Sequence, residues 1–327
     1  IPGAPKLRME GLRPYLDRLG TKMDARADEF PIWNGELYLQ YHRGTLTSVG
    51  KNKANNRNAE RAMRELEFVA TLAQVTKGMA YPKAEIRALW DIVLVNQFHD
   101  ILPGTSIAEV YEDSDAEYAQ LFEAMQIDDG PMQSALNAVC PVGEGYAKLV
   151  NFTGQARGCE LVEIPGEGDM SGLVLSTCAG KAALQEVFAP DGSTRFVAPV
   201  DGVPALGWSA ARLGTSESAI ASSLSVSKLY LENDRIAVRF DEAGQIFSIF
   251  DKELGRELIQ EGRRANQMIA YEDKPKAYDA WDIDHYFEEK SWQLSDEPAQ
   301  IDVLETGPHR AAHLHPPRPT SSRPHPG

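Results

Sequence analysis

The spacing of apolar residues changes once along this chain, and the change divides what the chain can fold into. Between Arg57 and Val75, Met63, Leu66, Val69, Ala70 and Ala73 recur at intervals of three and four, interleaved with Arg61, Arg64, Glu65 and Glu67. That is the signature of an amphipathic helix with one buried stripe. Pro82 is placed to open a second helix, buried through Ile86, Leu89, Trp90 and Val93, running to Phe98 and stopped by Pro103-Gly104. Ser106-Ile107-Ala108-Glu109 has the form of a capping box, opening a third helix along Ile107, Val110, Tyr111, Tyr118, Leu121, Phe122 and Met125. Three helices on short loops pack as antiparallel neighbours.

Past Asp128-Asp129-Gly130 the apolar residues come in short runs bounded by Gly, Pro and Asp, at 148–152, 160–164 and 172–176. Such runs suit the strands of a β-sandwich. Ile236, Val238 and Phe240 alternate with Arg235, Ala237 and Arg239, and Asp241-Glu242-Ala243-Gly244 turns the chain back into 246–250. This predicts a hairpin with one buried face. The expected fold class is α+β multidomain: an antiparallel three-helix bundle over 35–130, then an antiparallel β-sandwich region over 145–312, with the boundary in the Gly/Pro-bearing span 129–145. Residues 313–327 hold no acidic residue and almost nothing apolar, which reads as a disordered Pro/Arg/His tail.

The chemistry concentrates between Asn96 and Thr105, where a His99-Asp100 pair stands at the stop of the second helix. A side chain there is aimed outward from a rigid element, and a neutral imidazole beside a carboxylate suits a metal or a sugar hydroxyl. Taken alone, the pair better fits a helix-end His on backbone carbonyls beside a solvated Asp. The surrounding residues, Asn96-Gln97-Phe98-His99-Asp100-Ile101-Leu102-Pro103-Gly104-Thr105, resemble a motif of the glycoside hydrolase family 38 α-mannosidases. Gly35-Glu36-Leu37-Tyr38-Leu39-Gln40-Tyr41-His42-Arg43-Gly44-Thr45-Leu46-Thr47-Ser48 resembles a second motif of that family, at the expected distance before the first. The resemblance continues through Leu231-Glu232-Asn233-Asp234-Arg235-Ile236-Ala237-Val238-Arg239-Phe240-Asp241 and Asp279-Ala280-Trp281-Asp282-Ile283-Asp284-His285-Tyr286, and fades near Arg310.

What the resemblance implies is a retaining, zinc-dependent hydrolase of terminal α-linked mannose on oligosaccharides. His99 matches the family's zinc-ligating His, and Asp100 the carboxylate that accepts hydroxyls of the sugar being cleaved. The other ligands, a His-x-Asp pair and the nucleophilic Asp, belong in the family to an N-terminal α/β domain. His-x-Asp occurs nowhere in this chain. Residues 1–34 are accordingly expected to be the end of that domain and its linker. No catalytic residue is assigned, one zinc is expected to be completed by ligands outside this chain, and the chain alone is expected to be inactive.

His42 falls where the family lines the sugar pocket, with a structural hydrogen bond as its other reading, and Arg43 either reaches a carboxylate of the α/β domain or is simply surface. Trp281, Asp284 and Tyr286 combine a stacking face with polar groups, as a sugar site requires, or form a cross-strand packing cluster. The alternative function is a noncatalytic carbohydrate-binding or scaffold module with the same body.

Composition narrows the partners. A net charge of -15 over 327 residues argues against nucleic acid. No run of about 18 apolar residues offers a membrane span. Cys140, Cys159 and Cys178 are odd in number and fit no CxxC pattern, which favours reduced thiols and a cytoplasmic setting. Homo-oligomer formation stays open.

Overall fold

The computed structural model describes residues 3, 8–35, 42–164, 170, 172–177, 180–189, 193–215, 222–294 and 298–314. Leu12–Asp24 forms helix α1, which buries none of its residues. The helical body is Gly50–Lys77 (α2), Lys83–Asn96 (α3), Ala108–Gln126 (α4) and Pro131–Val139 (α5). One buried cluster joins all four: Met63, Leu66, Val69, Ala70 and Ala73 of α2, Ile86, Leu89 and Val93 of α3, Tyr118, Leu121 and Met125 of α4, and Met132 and Ala135 of α5. The stripes expected on α2 and α3 are therefore the ones that pack.

Four features depart from the sequence expectation. The span 129–145, read as a boundary, contains α5, so the bundle core has a fourth helix. Pro131 supplies its first turn, while a Cβ on Gly130 would lie 2.7 Å from the Ala124 carbonyl oxygen, so the chain folds tightly back there. Helix α3 ends at Asn96 rather than Phe98: the Phe98 N–H donates to the Val95 carbonyl at 3.1 Å, a tighter turn in place of the helix ladder. The capping box does not form. Ile107, 68% exposed, is the N-cap of α4, and the Ser106 hydroxyl donates instead to the Asp100 carbonyl at 2.7 Å. Finally, α2 begins at Gly50, ahead of its apolar stripe, because its first turns bury Asn52 and Asn56.

Those two amides belong to a polar layer inside the bundle. Ser114 Oγ lies 3.4 Å from Asn52 Oδ1, Tyr118 donates its hydroxyl to Asn56 Oδ1 at 3.4 Å, and the Gln97 amide donates to Asn56 Oδ1 and Glu60 Oε1. Burial pushes the Tyr118 hydroxyl up to about 12. Tyr118→Phe keeps the packing and removes one long bond, so chemical denaturation should show a loss of about 0.5–1.5 kcal/mol. A loss several times larger would mean that this hydroxyl organises the whole layer.

The β region begins with Tyr146–Asn151 (β1), Glu160–Ile164 (β2), Leu173–Thr177 (β3), Gly180–Ala183 (β4), Gln185–Phe188 (β5), Thr194–Val200 (β6) and Gly207–Thr215 (β7). They form two antiparallel sheets of order β1-β7-β3-β4 and β2-β6-β5. Leu149, Leu175, Ala182 and Ala211 of the first pack in one core with Ile164, Phe196, Ala198 and Val200 of the second, which makes a sandwich. Ser225–Ser227 (β8), Tyr230–Glu232 (β9), Ile236–Phe240 (β10), Ile246–Asp251 (β11) and Arg256–Glu257 (β12) form a further sheet of order β12-β11-β10-β9-β8. The expected β10–β11 hairpin is present, with Phe240 buried and Ile236 39% exposed, so only one end of its expected buried face is covered.

Ile269–Tyr271 (β13) pairs with Ser291–Gln293 (β14), and Asp302–Thr306 (β15) with Ala311–Leu314 (β16). The last pairing corrects the edge of the expected tail, because His313 lies in a strand opposite Val303. Long-range bonds hold that hairpin. Gln185 accepts the His309 and Arg310 N–H groups and donates to the Arg310 carbonyl, while the buried Glu305 carboxylate takes Arg310 and the Phe188 N–H. Residues 315–327 lie outside the described residues. Among the described residues no helix is long and apolar enough to cross a membrane.

Candidate functional site

Beyond the end of α3 the chain runs through turns that present His99 and Asp100 outward, with side chains 75% and 46% exposed. The His99 Nε2 lies 3.4 Å from Asp100 Oδ2, and the imidazole leans on the Phe98 ring with centroids 4.3 Å apart. What is anchored is the Asp100 backbone. Its carbonyl accepts the Thr105 N–H at 3.3 Å, the Thr105 hydroxyl at 3.2 Å and the Ser106 hydroxyl at 2.7 Å, with the Tyr111 hydroxyl 3.4 Å away. A carbonyl held from several sides fixes the loop while its carboxylate faces solvent.

The second segment is described from His42 onward; Glu36–Tyr41 of its motif lie outside the described residues. Thr45 donates its hydroxyl to the His42 carbonyl at 2.6 Å, and the Ser48 N–H donates to the Gly44 carbonyl at 2.9 Å. Arg43 is exposed. At Gly44 the 278–284 loop packs closely: the Gly44 N–H donates to the Trp281 carbonyl at 2.9 Å, and a Cβ would stand 3.0 Å from that same carbonyl, so the loop would have to give by a few tenths of an ångström. The Ser48 hydroxyl sits 2.9 Å from the Ala280 carbonyl. On its other side, the Ser48 carbonyl abuts Gly104, whose φ of +88 is left-handed. Three segments far apart in sequence thus meet at the 44–48 turn.

Two residues of α2 complete this junction. The Asn52 amide donates to the Ile101 carbonyl at 2.8 Å, and the Lys53 ammonium donates to the Ser48 carbonyl and, at 3.0 Å, to that of Leu102. Burial pushes the Lys53 ammonium below the usual lysine range. Sequence reasoning passed over both, since Lys51-Asn52-Lys53-Ala54-Asn55 reads as a solvated helix start with no apolar period to mark a buried face.

In the third segment, Trp281 and His42 are in ring contact, with centroids 5.2 Å apart at 52°. Asp284 and Tyr286 engage each other: Asp284 Oδ2 accepts the Tyr286 hydroxyl at 2.6 Å and the Lys276 N–H at 3.0 Å. The bond from Tyr286 holds the Asp284 carboxyl below the usual range and pushes the Tyr286 hydroxyl up to about 12. A further carboxylate not singled out from sequence is Asp282, 4% exposed, whose Oδ1 has no hydrogen-bond partner among the described residues. The structure therefore joins His99 with Asp100, His42 with Trp281, and Asp284 with Tyr286.

A catalytic zinc takes about three protein ligands and keeps a position open. Among the described residues, no three His, Cys, Asp or Glu side chains converge to hold a metal. The His99-Asp100 pair offers one imidazole and one carboxylate side by side on an exposed loop.

Comparison with known proteins locates the fold. The model of the alpha mannosidase middle domain matches residues 40–128, and that of the glycosyl hydrolases family 38 C-terminal domain matches 231–315; together they take in more than half of the chain. Alpha-mannosidase 2C1 of Mus musculus is 28% identical over 279 residues, covering 82% of this chain and 24% of that protein. An alpha-mannosidase of Saccharomyces cerevisiae is 28% identical over 273 residues, 81% of this chain and 21% of that one. The chain spans about a quarter of the length of these curated relatives. Among solved structures, an alpha-mannosidase from Enterococcus faecalis superposes with a TM-score of 0.59 at 17% identity, covering 90% of this chain and 38% of that one, a likeness of fold. The chain belongs to the glycoside hydrolase family 38 α-mannosidases and carries sequence of their middle and C-terminal domains.

Proposed function

We propose that this chain forms part of a retaining, zinc-dependent α-mannosidase that removes terminal α-linked mannose from oligosaccharides, contributing His99 to the metal and Asp100 to the sugar. The observation that carries this reading is the convergence of the His42–Ser48 turn, the His99–Thr105 loop and the 278–284 loop, which braces the loop bearing His99 and Asp100 while their side chains stay 75% and 46% exposed. Matches to alpha-mannosidases along the chain support it.

In this reading an α/β domain supplies the remaining ligands, the nucleophile and the acid, and the chain without it is inactive. A zinc ion held there would fix the sugar hydroxyls and stabilise developing charge. Asp100 accepts hydroxyl hydrogen bonds that tighten as the ring approaches an oxocarbenium-like state. The Trp281 ring, in contact with His42, offers an apolar face to the sugar, and the Asp284–Tyr286 pair holds the loop that carries it. The free thiols of Cys140 and Cys159 support a cytoplasmic setting.

In the protein that joins this chain to such a domain, His99→Ala is expected to lower bound zinc and activity together. Asp100→Asn should keep the zinc and lose about 10- to 100-fold in kcat/KM, the equivalent of ~1.5–3 kcal/mol of charged hydrogen bonding. Metal content and aryl α-mannoside hydrolysis check both. Full zinc occupancy and full activity in the His99→Ala enzyme would overturn the assignment.

A further inference from the structure

Lys53 lies in neither of the two motifs before and after it, yet its ammonium is where they meet. It donates to the Ser48 carbonyl, at the end of the first motif, and at 3.0 Å to the Leu102 carbonyl, inside the second. Among the described residues it forms no salt bridge, so its charge is answered by main-chain oxygens of two loops. A lysine can do this because its ammonium is a compact charge with several donors on a flexible stem. In a partly desolvated place such charge-assisted bonds are stronger than neutral ones.

A second observation marks the same point. Val49, directly after Ser48, has φ 50 and ψ 60, a left-handed conformation that β-branched residues avoid. Strain of this kind persists only where the surroundings over-determine it, and it gathers at functional sites. Here the surroundings are on view: the Ser48 N–H is bound to Gly44, the Ser48 hydroxyl lies beside Ala280, and the Ser48 carbonyl is held by Lys53 and packed on Gly104. The neighbouring Asn52 takes the Ile101 carbonyl at 2.8 Å, so one turn of α2 grips consecutive carbonyls of the loop that carries Asp100.

We propose that Lys53 is a positioning residue of the candidate site, keeping the His99–Asp100 loop in register with the His42–Ser48 turn. Its effect on catalysis rests on the mannosidase reading above; its hold on the loop does not. The test uses Lys53→Met, which keeps the stem, and Lys53→Arg, which keeps the charge. In this chain, amide exchange at Ile101, Leu102, Gly104 and Thr105 should quicken in Lys53→Met while the buried α2–α5 core keeps its protection.

In the protein that includes the α/β domain, Lys53→Met should lower kcat on an aryl α-mannoside by about tenfold or more, since a misplacement on the order of 1 Å costs up to about 100-fold. KM should stay within about twofold and zinc content should be unchanged. Lys53→Arg should recover most of the rate, which a purely packing role would not require. Unchanged exchange in the loop overturns the proposal, as does a Lys53→Met enzyme with wild-type kcat. If Lys53→Met fails to fold, Lys53→Gln takes its place in both measurements. A wild-type protein without mannosidase activity would remove the functional reading, while the exchange result would still decide whether Lys53 holds the loop.

Discussion

Arg310→Met is expected to lower folding stability by about 3 kcal/mol near neutral pH. The Glu305 side chain is 2% exposed and accepts Arg310 Nε and Nη2, each at 2.6 Å, with the Phe188 N–H as its third donor at 2.9 Å. Without the guanidinium, a buried carboxylate keeps one donor and no counter-charge among the described residues. Breaking such a pair costs about 3–5 kcal/mol, and because Arg310 itself is 40% exposed and screened, the lower end applies.

The pH dependence is a sharper test. The bond from Arg310 holds the Glu305 carboxyl below the usual range, so its contribution is present above the unfolded value of ~4.3 and is lost as pH falls through the folded value. In the Met variant the sign reverses. Burial without the guanidinium raises the carboxyl, and protonation then favours the folded form. Urea unfolding at about pH 7 and about pH 4 should show the gap between the two proteins narrowing at the lower pH. Equal stabilities near pH 7, or a gap that does not change with pH, would rule out the buried pair as the anchor of the β15–β16 hairpin.

Gly104→Ala should cost about 2–5 kcal/mol and displace the loop that bears His99 and Asp100. Two terms add. At φ +88 an L side chain meets a left-handed penalty of ~1–2 kcal/mol. The new Cβ would also stand 2.4 Å from the Ser48 carbonyl oxygen and 2.7 Å from its carbon; neither is a side chain that can rotate away, and overpacking of this kind costs about 1–3 kcal/mol. Gly78 provides the control. It has φ +71 at the end of α2, but a Cβ there would meet nothing within 4 Å, so Gly78→Ala should show the conformational term alone. Thermal unfolding of the two variants separates strain from collision. Equal losses would mean that the Gly104 loop and the Ser48 turn do not dock as described.

What was legible from sequence was whatever one element decides by itself. The buried stripes of α2 and α3, the strands expected at 148–152, 160–164 and 172–176 and found at 146–151, 160–164 and 173–177, and the β10–β11 hairpin all follow from side chains repeating along one rod or one pleat. His99 and Asp100 were legible as an exposed polar pair at the close of an apolar helix. Helix α5 was not, because Gly130 and Pro131 look like punctuation and its nine residues are too few for a period to stand out. The buried Asn52 and Asn56 and the half-buried Lys53 were not, because a polar residue tells nothing about burial until its partner is known.

The partners in question come from elsewhere in the chain. Ser48 reaches the Ala280 carbonyl across 232 residues, and Gln185 holds Arg310 across 125, pulling into a strand the His313 that composition assigned to a tail. The sequence by itself determined most of the helices and strands and singled out the side chains whose chemistry is proposed, since propensity and period act over a few residues. Only the tertiary structure decided that His42, Ser48, Gly104 and Trp281 share one junction, because backbone carbonyls and close approaches, which no residue letter records, are what hold it.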